Sequence, residues 1–418
     1  MQQNLYIFIQ LADGSRDVVG RLLYEKHADG QIRSYFRYEP SWVTKPDAFP
    51  LDPVNLPLTT EVFRMKSRTG LWGVLEDALP DAWGRRLLQA RHMVNVSRDN
   101  NIQLLLLTGW AEPGATGFSE ARKMARRPIV PMDLEMTDQA INASEAFEKQ
   151  AGIVNLPDFF VSGGSSAGGA RPKVLARSGD DHFLVKFPSI NDPAPDIMAQ
   201  LEFLGMSCAR QAGIPVPDCF LIKASGTRMA LAVKRFDTHN KRGRLHFLSF
   251  QSLIGVEEQL GLPYARMAEV IKKVSVFPER DLKNLYKQMV INVILCNCDD
   301  HLKNFSMCHD PSTNGFCLTP AYDVVPNLWQ REHILSIAGK TGAINRADLL
   351  REGRHFALTN QQACKRISEA GQGVLQALQD NGKMVQQLSK TCSLCCRLLH
   401  DIRENLERIT NLKNIEHP

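Results

Sequence analysis

The sequence predicts an α+β chain of two lobes, a β-rich N-terminal lobe followed by an α-rich C-terminal lobe. Three observations carry this. Short apolar and β-branched runs separated by Asp-Gly turns fill the first part of the chain and return after Phe159. From about position 244 onward the apolar residues recur at helical spacing instead. At 418 residues the chain has room for two or three domains. Its 44% apolar and 23% charged residues exclude wholesale disorder and fibrous classes.

The elements follow in order. Residues 5–11, 18–24 and 32–38 read as strands, turned by Asp13-Gly14 and Asp29-Gly30. The Pro-rich stretch 40–57 reads as an ordered loop. Leu75, Leu79, Trp83 and Leu87 recur at helical spacing, with Pro80 in a first turn and Asp81 as an acid at its start. The basic stretch 122–131 reads as a solvated connection, and 137–150 as a polar helix. Residues 174–176 and 183–187 form a strand pair, 199–212 a helix ended by Gly213 and Pro215, and 219–223 with 229–235 a second strand pair. Helices are then expected at 264–274, 279–296, 360–370, 373–378 and 391–412.

No apolar run approaches the roughly 18 residues of a membrane helix, so no membrane association is expected. The N-terminus has no basic segment ahead of its short apolar stretch, and no signal peptide is expected. Lysine plus arginine is 50 against 45 acidic residues, a net +5 that is mild for this length. It does not argue for direct nucleic-acid binding. The ten cysteines all lie at or after Cys208 without regular spacing, which fits reduced thiols in a cytoplasmic protein. Cys392, Cys395 and Cys396 sit in a helical pattern with no second Cys-x-x-Cys, and read as structural thiols.

Chemistry concentrates between Asn292 and Asn304, NVILCNCDDHLKN, where an apolar helix runs into Asp, Asp, His, Lys and Asn. Asp323 follows in the apolar segment LTPAYDVVP. Phosphoryl transfer needs one carboxylate to orient or deprotonate a hydroxyl, an amide oxygen and a second carboxylate for Mg²⁺, and a cation beside the transferred group. Asp299 stands five residues before Asn304, the separation of base and metal-binding Asn in kinases. Asp323 fills the place of the second metal ligand, and Lys303 that of the cation. Asp300 has the wrong spacing and reads as a helix cap or surface acid. His301 reads chiefly as a brace of the loop. Upstream, the small-residue stretch 163–173 could bring backbone amides close to phosphates, although it is neither a Walker loop nor G-x-G-x-x-G. Lys186, in an apolar strand, needs an acidic or phosphate partner, and Glu202 on the next helix could supply it.

Taken together, SSAGGARPK (165–173), LVKFP (184–188), AGIPVP (212–217), VKRFD (233–237), NCDDHLKNFS (297–306) and AYDVVP (321–326) resemble the HipA-type serine/threonine kinases, toxins of bacterial type II toxin–antitoxin modules. LEDALPDAWGRRLL (75–88) resembles the N-terminal subdomain of that family. The resemblance implies a two-lobed protein-kinase-like fold with an extra N-terminal subdomain at 1–130, a nucleotide-covering N-lobe at 150–240 and an all-α C-lobe at 241–418. It implies ATP and Mg²⁺ as cofactors. Asp299 would be the catalytic base, with His301 and Lys303 on the phosphate side, and Asn304 and Asp323 would hold the metal. Gly168, Gly169, Ala170, Arg171, Pro172 and Lys173 would cover the nucleotide. Lys186, paired with Glu202, would contact its phosphates. Lys234, Arg235 and Phe236 would form the hinge near the adenine, and Ser166 would be the regulatory autophosphorylation site. The loop reads GGARPK where family members often carry a Gln-Glu pair, and the hinge opens on Lys234 where an acid is common.

The resemblance further implies a protein substrate, an aminoacyl-tRNA synthetase, with arrest of translation and growth as the outcome. It implies a helix-turn-helix antitoxin of the HipB type, and contact with DNA only through that antitoxin. Two other readings stand beside it: a non-catalytic corepressor that binds antitoxin and operator DNA, and a kinase of a small molecule or lipid.

Overall fold

The computed structural model describes residues 2–27, 31–67, 69–92, 100–110, 114–123, 131–149, 156–160, 171–192, 194–239, 242–256 and 258–410. The chain divides into two compact units. One comprises Met1–Asp196, Ile222–Leu248 and Cys308–Gly315, the other Ile197–Leu221, Ser249–Met307 and Phe316–Pro418. The expected α+β class is the one found.

The first unit opens on a five-stranded sheet of β1 (Gln2–Gln10), β2 (Arg16–Lys26), β3 (Ile32–Tyr38), β4 (Phe63–Ser67) and β5 (Thr116–Ser119), in the order β4-β3-β2-β1-β5. In β3 the residues Ile32, Ser34, Phe36 and Tyr38 are buried while their neighbours are not, the period of two that a one-sided sheet demands. Gly14 closes the first hairpin at φ +85°, where a side chain would be strained. The Pro-rich stretch contains a short helix, Pro40–Val43, that the sequence did not announce.

A second sheet places Met132–Asp133, Lys173–Ser178, Asp181–Lys186 and Met229–Lys234 side by side. Its core includes Val174, Val185, Phe160 and Phe187 together with Trp83 and Leu87 from the helix Ala82–His92. The apolar stripe of that helix completes the core of the second sheet. Asp81, predicted just inside the helix, stands just before it and accepts the Gly84 amide at 2.9 Å.

The second unit is largely helical. Pro278–Leu295 is buried over most of its length and packs against Asn360–Asp380 and Ser393–Thr410. In the last of these Cys395, Leu398, Leu399, Ile402, Leu406 and Ile409 are buried, the stripe of an amphipathic helix. The expected break at 371–372 does not occur, and 360–380 is one helix. Gly373 is needed there because a Cβ would stand 2.3 Å from the Ala212 amide nitrogen. A helix at Gly382–Thr391 and strand segments at Ser306–Asp310 and Gly315–Leu318 add to the expected helices. The helix Pro195–Gln211 also belongs to this unit, all but its first two residues. At its end the Lys287 ammonium donates to the carbonyls of Ala212 and Gly213 at 2.9 and 3.0 Å, the last acceptors a helix leaves open.

Among the described residues no helix is long and apolar enough to cross a membrane.

Candidate phosphotransfer site

The central loop begins where Pro278–Leu295 stops. Cys296 adopts a left-handed conformation at φ 55° and ends the helix. The chain then runs without regular structure to His301, itself extended, and makes a single 3₁₀ turn over Leu302–Asn304. The Leu302 amide donates to the Gln259 side chain at 2.7 Å.

Asp300 is the anchor of this loop and not a surface acid. Its side chain is fully buried and collects the Tyr264 hydroxyl at 2.7 Å, His333 Nδ1 at 3.0 Å and the Ile334 amide at 2.8 Å. Asn292 Nδ2 donates in turn to the Tyr264 oxygen at 3.1 Å. Burial, reinforced by the Asp300 charge, pushes the Tyr264 phenol well above its ordinary range, so it stays a donor. With Asp300 held inward, the neighbouring Asp299 is left on the open side, its side chain 64% exposed.

Asn304 donates from Nδ2 to the Asp299 carbonyl at 2.8 Å. That bond fixes the amide and leaves Oδ1 as its acceptor. The five-residue spacing read from the sequence is therefore the span of one hydrogen-bonded loop. His301 Nε2 lies 4.0 Å from Asp299 Oδ1. Among the described residues His301 Nδ1 is buried with no hydrogen-bond partner, and the Lys303 ammonium has no carboxylate partner. An orphaned buried nitrogen beside an unpaired ammonium suits a site that receives phosphate oxygens.

Asp323 comes to the same place through its neighbour. The Tyr322 hydroxyl donates to the Lys303 carbonyl at 2.9 Å and shares a bond with the Ser306 hydroxyl at 2.6 Å. Tyr322 and Lys303 are each adjacent to a predicted metal ligand, Asp323 and Asn304. Asp323 is held at φ +57°, a conformation few non-glycine residues adopt and Asp tolerates better than most. Among the described residues no cluster of three His, Cys, Asp or Glu forms a self-sufficient metal site. The set of one carboxamide oxygen and one carboxylate instead fits Mg²⁺, which completes its shell with water and substrate phosphates.

The remaining predicted residues lie mainly in the first unit. Lys186 ends the strand Asp181–Lys186, half-buried. Glu202, its expected partner, is buried on Pro195–Gln211 in the other unit. Lys173 does not extend an open loop: it is 3% exposed, in a strand, with its ammonium 3.4 Å from Asp81. Burial raises the Asp81 carboxyl, against the pull of Lys173. Arg171 pairs with Asp192 at 2.9 Å, and the carbonyl of Pro172 accepts the Phe187 amide at the same distance. Ser166, Gly168, Gly169 and Ala170 lie outside the described residues.

At the expected hinge, Lys234 reaches Asp181 at 2.9 Å. The Arg235 guanidinium is spent on Asp237 through bonds of 3.0 and 2.6 Å, and its amide donates to the His182 carbonyl. Burial works to raise the Asp237 carboxyl, but Arg235, helped by Arg244, outweighs it and holds it below its ordinary range. Arg235 is thus a brace by its side chain, which the sequence reading missed. Phe236 lies 5.6 Å from Phe247, ring to ring.

Comparison with known proteins gives the family and the fold. The family model described as HipA-like C-terminal domain matches residues 165–378, and that described as HipA N-terminal domain matches 14–119. A protein named "Putative kinase Y4mE" from Sinorhizobium fredii is 25% identical over 352 residues, 74% of this chain and 75% of that protein. One named "Putative kinase" from Haemophilus influenzae is 24% identical over 185 residues, 39% of this chain and 52% of that protein. Among solved structures, the Shewanella oneidensis HipA, crystallised with HipB and its operator DNA, shares the fold with a TM-score of 0.70 at 18% identity. That match covers 98% of this chain and 100% of that one.

Proposed function

Because this chain belongs to the HipA family, and shares the two-lobed, kinase-like fold of HipA, we propose that it is a kinase that transfers the γ-phosphoryl group of ATP to a serine or threonine of a protein. The observation that carries this reading is the bond from Tyr322 to Lys303, which fastens the Asp323 segment beside Asn304.

Asp299 is the base: it is open to solvent, fixed by its buried neighbour, and able to accept the proton of an incoming hydroxyl. A positioned base of this kind contributes about 10²–10⁴ in rate. Lys303 and His301 face the charge that builds on the transferred group. Asn304 Oδ1 and the Asp323 carboxylate would hold Mg²⁺, which when bound neutralises the phosphate oxygens. Lys186 with Glu202 would engage the nucleotide phosphates, and the backbone at Phe236 the adenine. Lys173, Arg171 and Pro172 would support the nucleotide-covering segment from its base rather than by reaching into it. Ser166 would be the site of regulatory autophosphorylation.

In functional terms 1–130 is the HipA N-terminal subdomain, 150–240 covers the nucleotide and 241–418 carries base and metal ligands. The family resemblance supports an aminoacyl-tRNA synthetase as substrate, arrest of translation as outcome, a cytoplasmic site of action, and a HipB-type antitoxin as partner through which DNA is met.

Purified protein incubated with radiolabelled ATP, Mg²⁺ and a cell lysate tests the proposal. Label is expected in protein bands with wild type and not with Asp299→Asn. Label found only in small molecules or lipid, or equal labelling by Asp299→Asn, overturns it. Absence of any transfer, with antitoxin and operator still bound, would mark a corepressor instead.

A further inference from the structure

Where the helix Ser393–Thr410 begins, two thiols meet in a way that packing alone does not require. Cys392 is the single residue between that helix and the preceding one, Gly382–Thr391, and its backbone is extended at φ −159° and ψ 159°. Its carbonyl accepts the Cys396 amide at 3.2 Å, and its sulfur accepts the Cys395 amide at 3.4 Å. Cys392 therefore stands at the N-cap, with sulfur where a serine or aspartate oxygen ordinarily sits. The Cys395 sulfur lies 3.2 Å from the Cys392 sulfur, and both thiols are free. The Cys-x-x-Cys spacing reads as structural thiols; the contact between the sulfurs adds a reaction to it.

The two sulfurs differ in access. Cys392 is partly exposed, whereas Cys395 is 1% exposed, so Cys392 is the one that meets an oxidant from solution. A thiolate at Cys392 would be held by the Cys395 amide and by the positive end of an 18-residue helix. Burial pushes the Cys395 thiol up to about 12, so it keeps its proton until a reactive sulfur is already in contact with it. An accessible attacking thiol and a buried resolving thiol are the two parts of dithiol exchange.

We propose that Cys392 and Cys395 form a reversible disulfide by exchange with low-molecular-weight disulfides such as glutathione disulfide. The Cys392 thiolate attacks one sulfur of the oxidant. A mixed disulfide forms, the oxidant's own S–S bond breaks, and one glutathione thiolate leaves. Cys395 then loses its proton to solvent and attacks the Cys392 sulfur. The intramolecular bond forms, the mixed disulfide breaks, and the second glutathione thiolate leaves. Two protein thiols are oxidised, one disulfide is reduced to two thiols, and the protons lost by the protein end on them. The closed bond would fix the joint between the two helices. The second of these carries Asn405, whose amide donates to the carbonyls of Val293 and Ile294 just ahead of the catalytic loop. The inference goes beyond the kinase reading and does not depend on it.

Trypsin cuts after Lys390 and Arg397, so one peptide, 391–397, reports the site. The full chain is equilibrated with mixtures of glutathione and its disulfide, quenched, alkylated and digested, and that peptide is weighed. Every sample carries Cys396→Ser, because Cys396 is exposed and would take up glutathione itself. The parent peptide should lose two hydrogens without retaining glutathione, and dithiothreitol should restore it. Adding Cys395→Ser should stop the reaction at the glutathione adduct. Adding Cys392→Ser should give neither product, and because serine is a good N-cap this variant should melt no lower than the parent. The equilibrium constant for closure should exceed that of the same chain in urea by about tenfold or more, because the fold holds the sulfurs together. No closure in the parent, no adduct with Cys395→Ser, an adduct with Cys392→Ser, or equal constants in the folded and urea-unfolded chain would each overturn the proposal.

Discussion

Gly205 and Val324 meet without room for a side chain between them: a Cβ at Gly205 would stand 1.9 Å from the Val324 carbonyl oxygen. The helix that carries Glu202 therefore rests directly on the backbone that follows Asp323. Gly205→Ala should gain helix propensity yet lose stability, because the contact is with backbone and cannot yield; overpacking of this kind costs about 1–3 kcal/mol. Phosphoryl transfer should fall with it. Gly382→Ala, which meets nothing within 4 Å, serves as the control and should melt at or slightly above wild type. A Gly205→Ala protein as stable and active as wild type would refute the close approach.

Asp299 and Asp300 should separate function from stability. Asp299→Asn is expected to melt as wild type and transfer no phosphate. Asp300→Asn turns an acceptor into a donor that faces a phenol, an imidazole and two amides, all buried. It should lower stability by about 1–3 kcal/mol. If the losses are reversed between the two variants, the base has been assigned to the wrong carboxylate.

Asp323 can be probed with two substitutions that differ in backbone preference. Asparagine tolerates a left-handed conformation and alanine does so less readily, at a cost of about 1 kcal/mol. Both variants should lose the rise in melting temperature that Mg·ATP gives wild type, since a ligand bound only to the folded state stabilises by mass action. Only Asp323→Ala should also melt lower without nucleotide. A ligand-induced shift preserved in both would remove Asp323 from the metal site.

His246 predicts a dependence of stability on pH. Burial pushes its imidazole down to about 4, where only the neutral ring fits, with Nε2 2.8 Å from the Leu51 carbonyl. The unfolded chain binds this proton near pH 6.5 and the folded one does not, so the contribution is whole above 6.5 and is lost as pH falls towards 4. The loss amounts to about 3 kcal/mol over that window. Burial lowers His309 as well, and it adds a loss of the same sign. Denaturant titrations at pH 7 and pH 4.5 should show a smaller difference for His246→Gln than for wild type. Equal differences would mean that the ring titrates normally.

What could be read from the sequence was local. The interval from Asp299 to Asn304 is one loop, and the residues that make it are neighbours in the chain. The role of Asp300 was hidden because Tyr264 and His333 lie 36 and 33 positions away. Lys173 looked like part of a phosphate loop because its partner Asp81 is 92 positions earlier. The sequence reading broke the helix at 371–372 and gave no hint that Ala212 presses against Gly373, 161 positions later. The side chain of Arg235 is a brace within the motif that placed the residue at the hinge, since Asp237 stands two positions on.

Neither compact unit is an unbroken stretch of chain, and this bears on how the protein is made. The first unit is completed only by Cys308–Gly315, and the second takes Ile197–Leu221 from the middle of the first. A chain emerging from the ribosome thus has no finished unit to fold until well past its three-hundredth residue. A product terminated between residues 221 and 307 would carry incomplete cores of both units, so quality control meets this protein late rather than after an early finished unit.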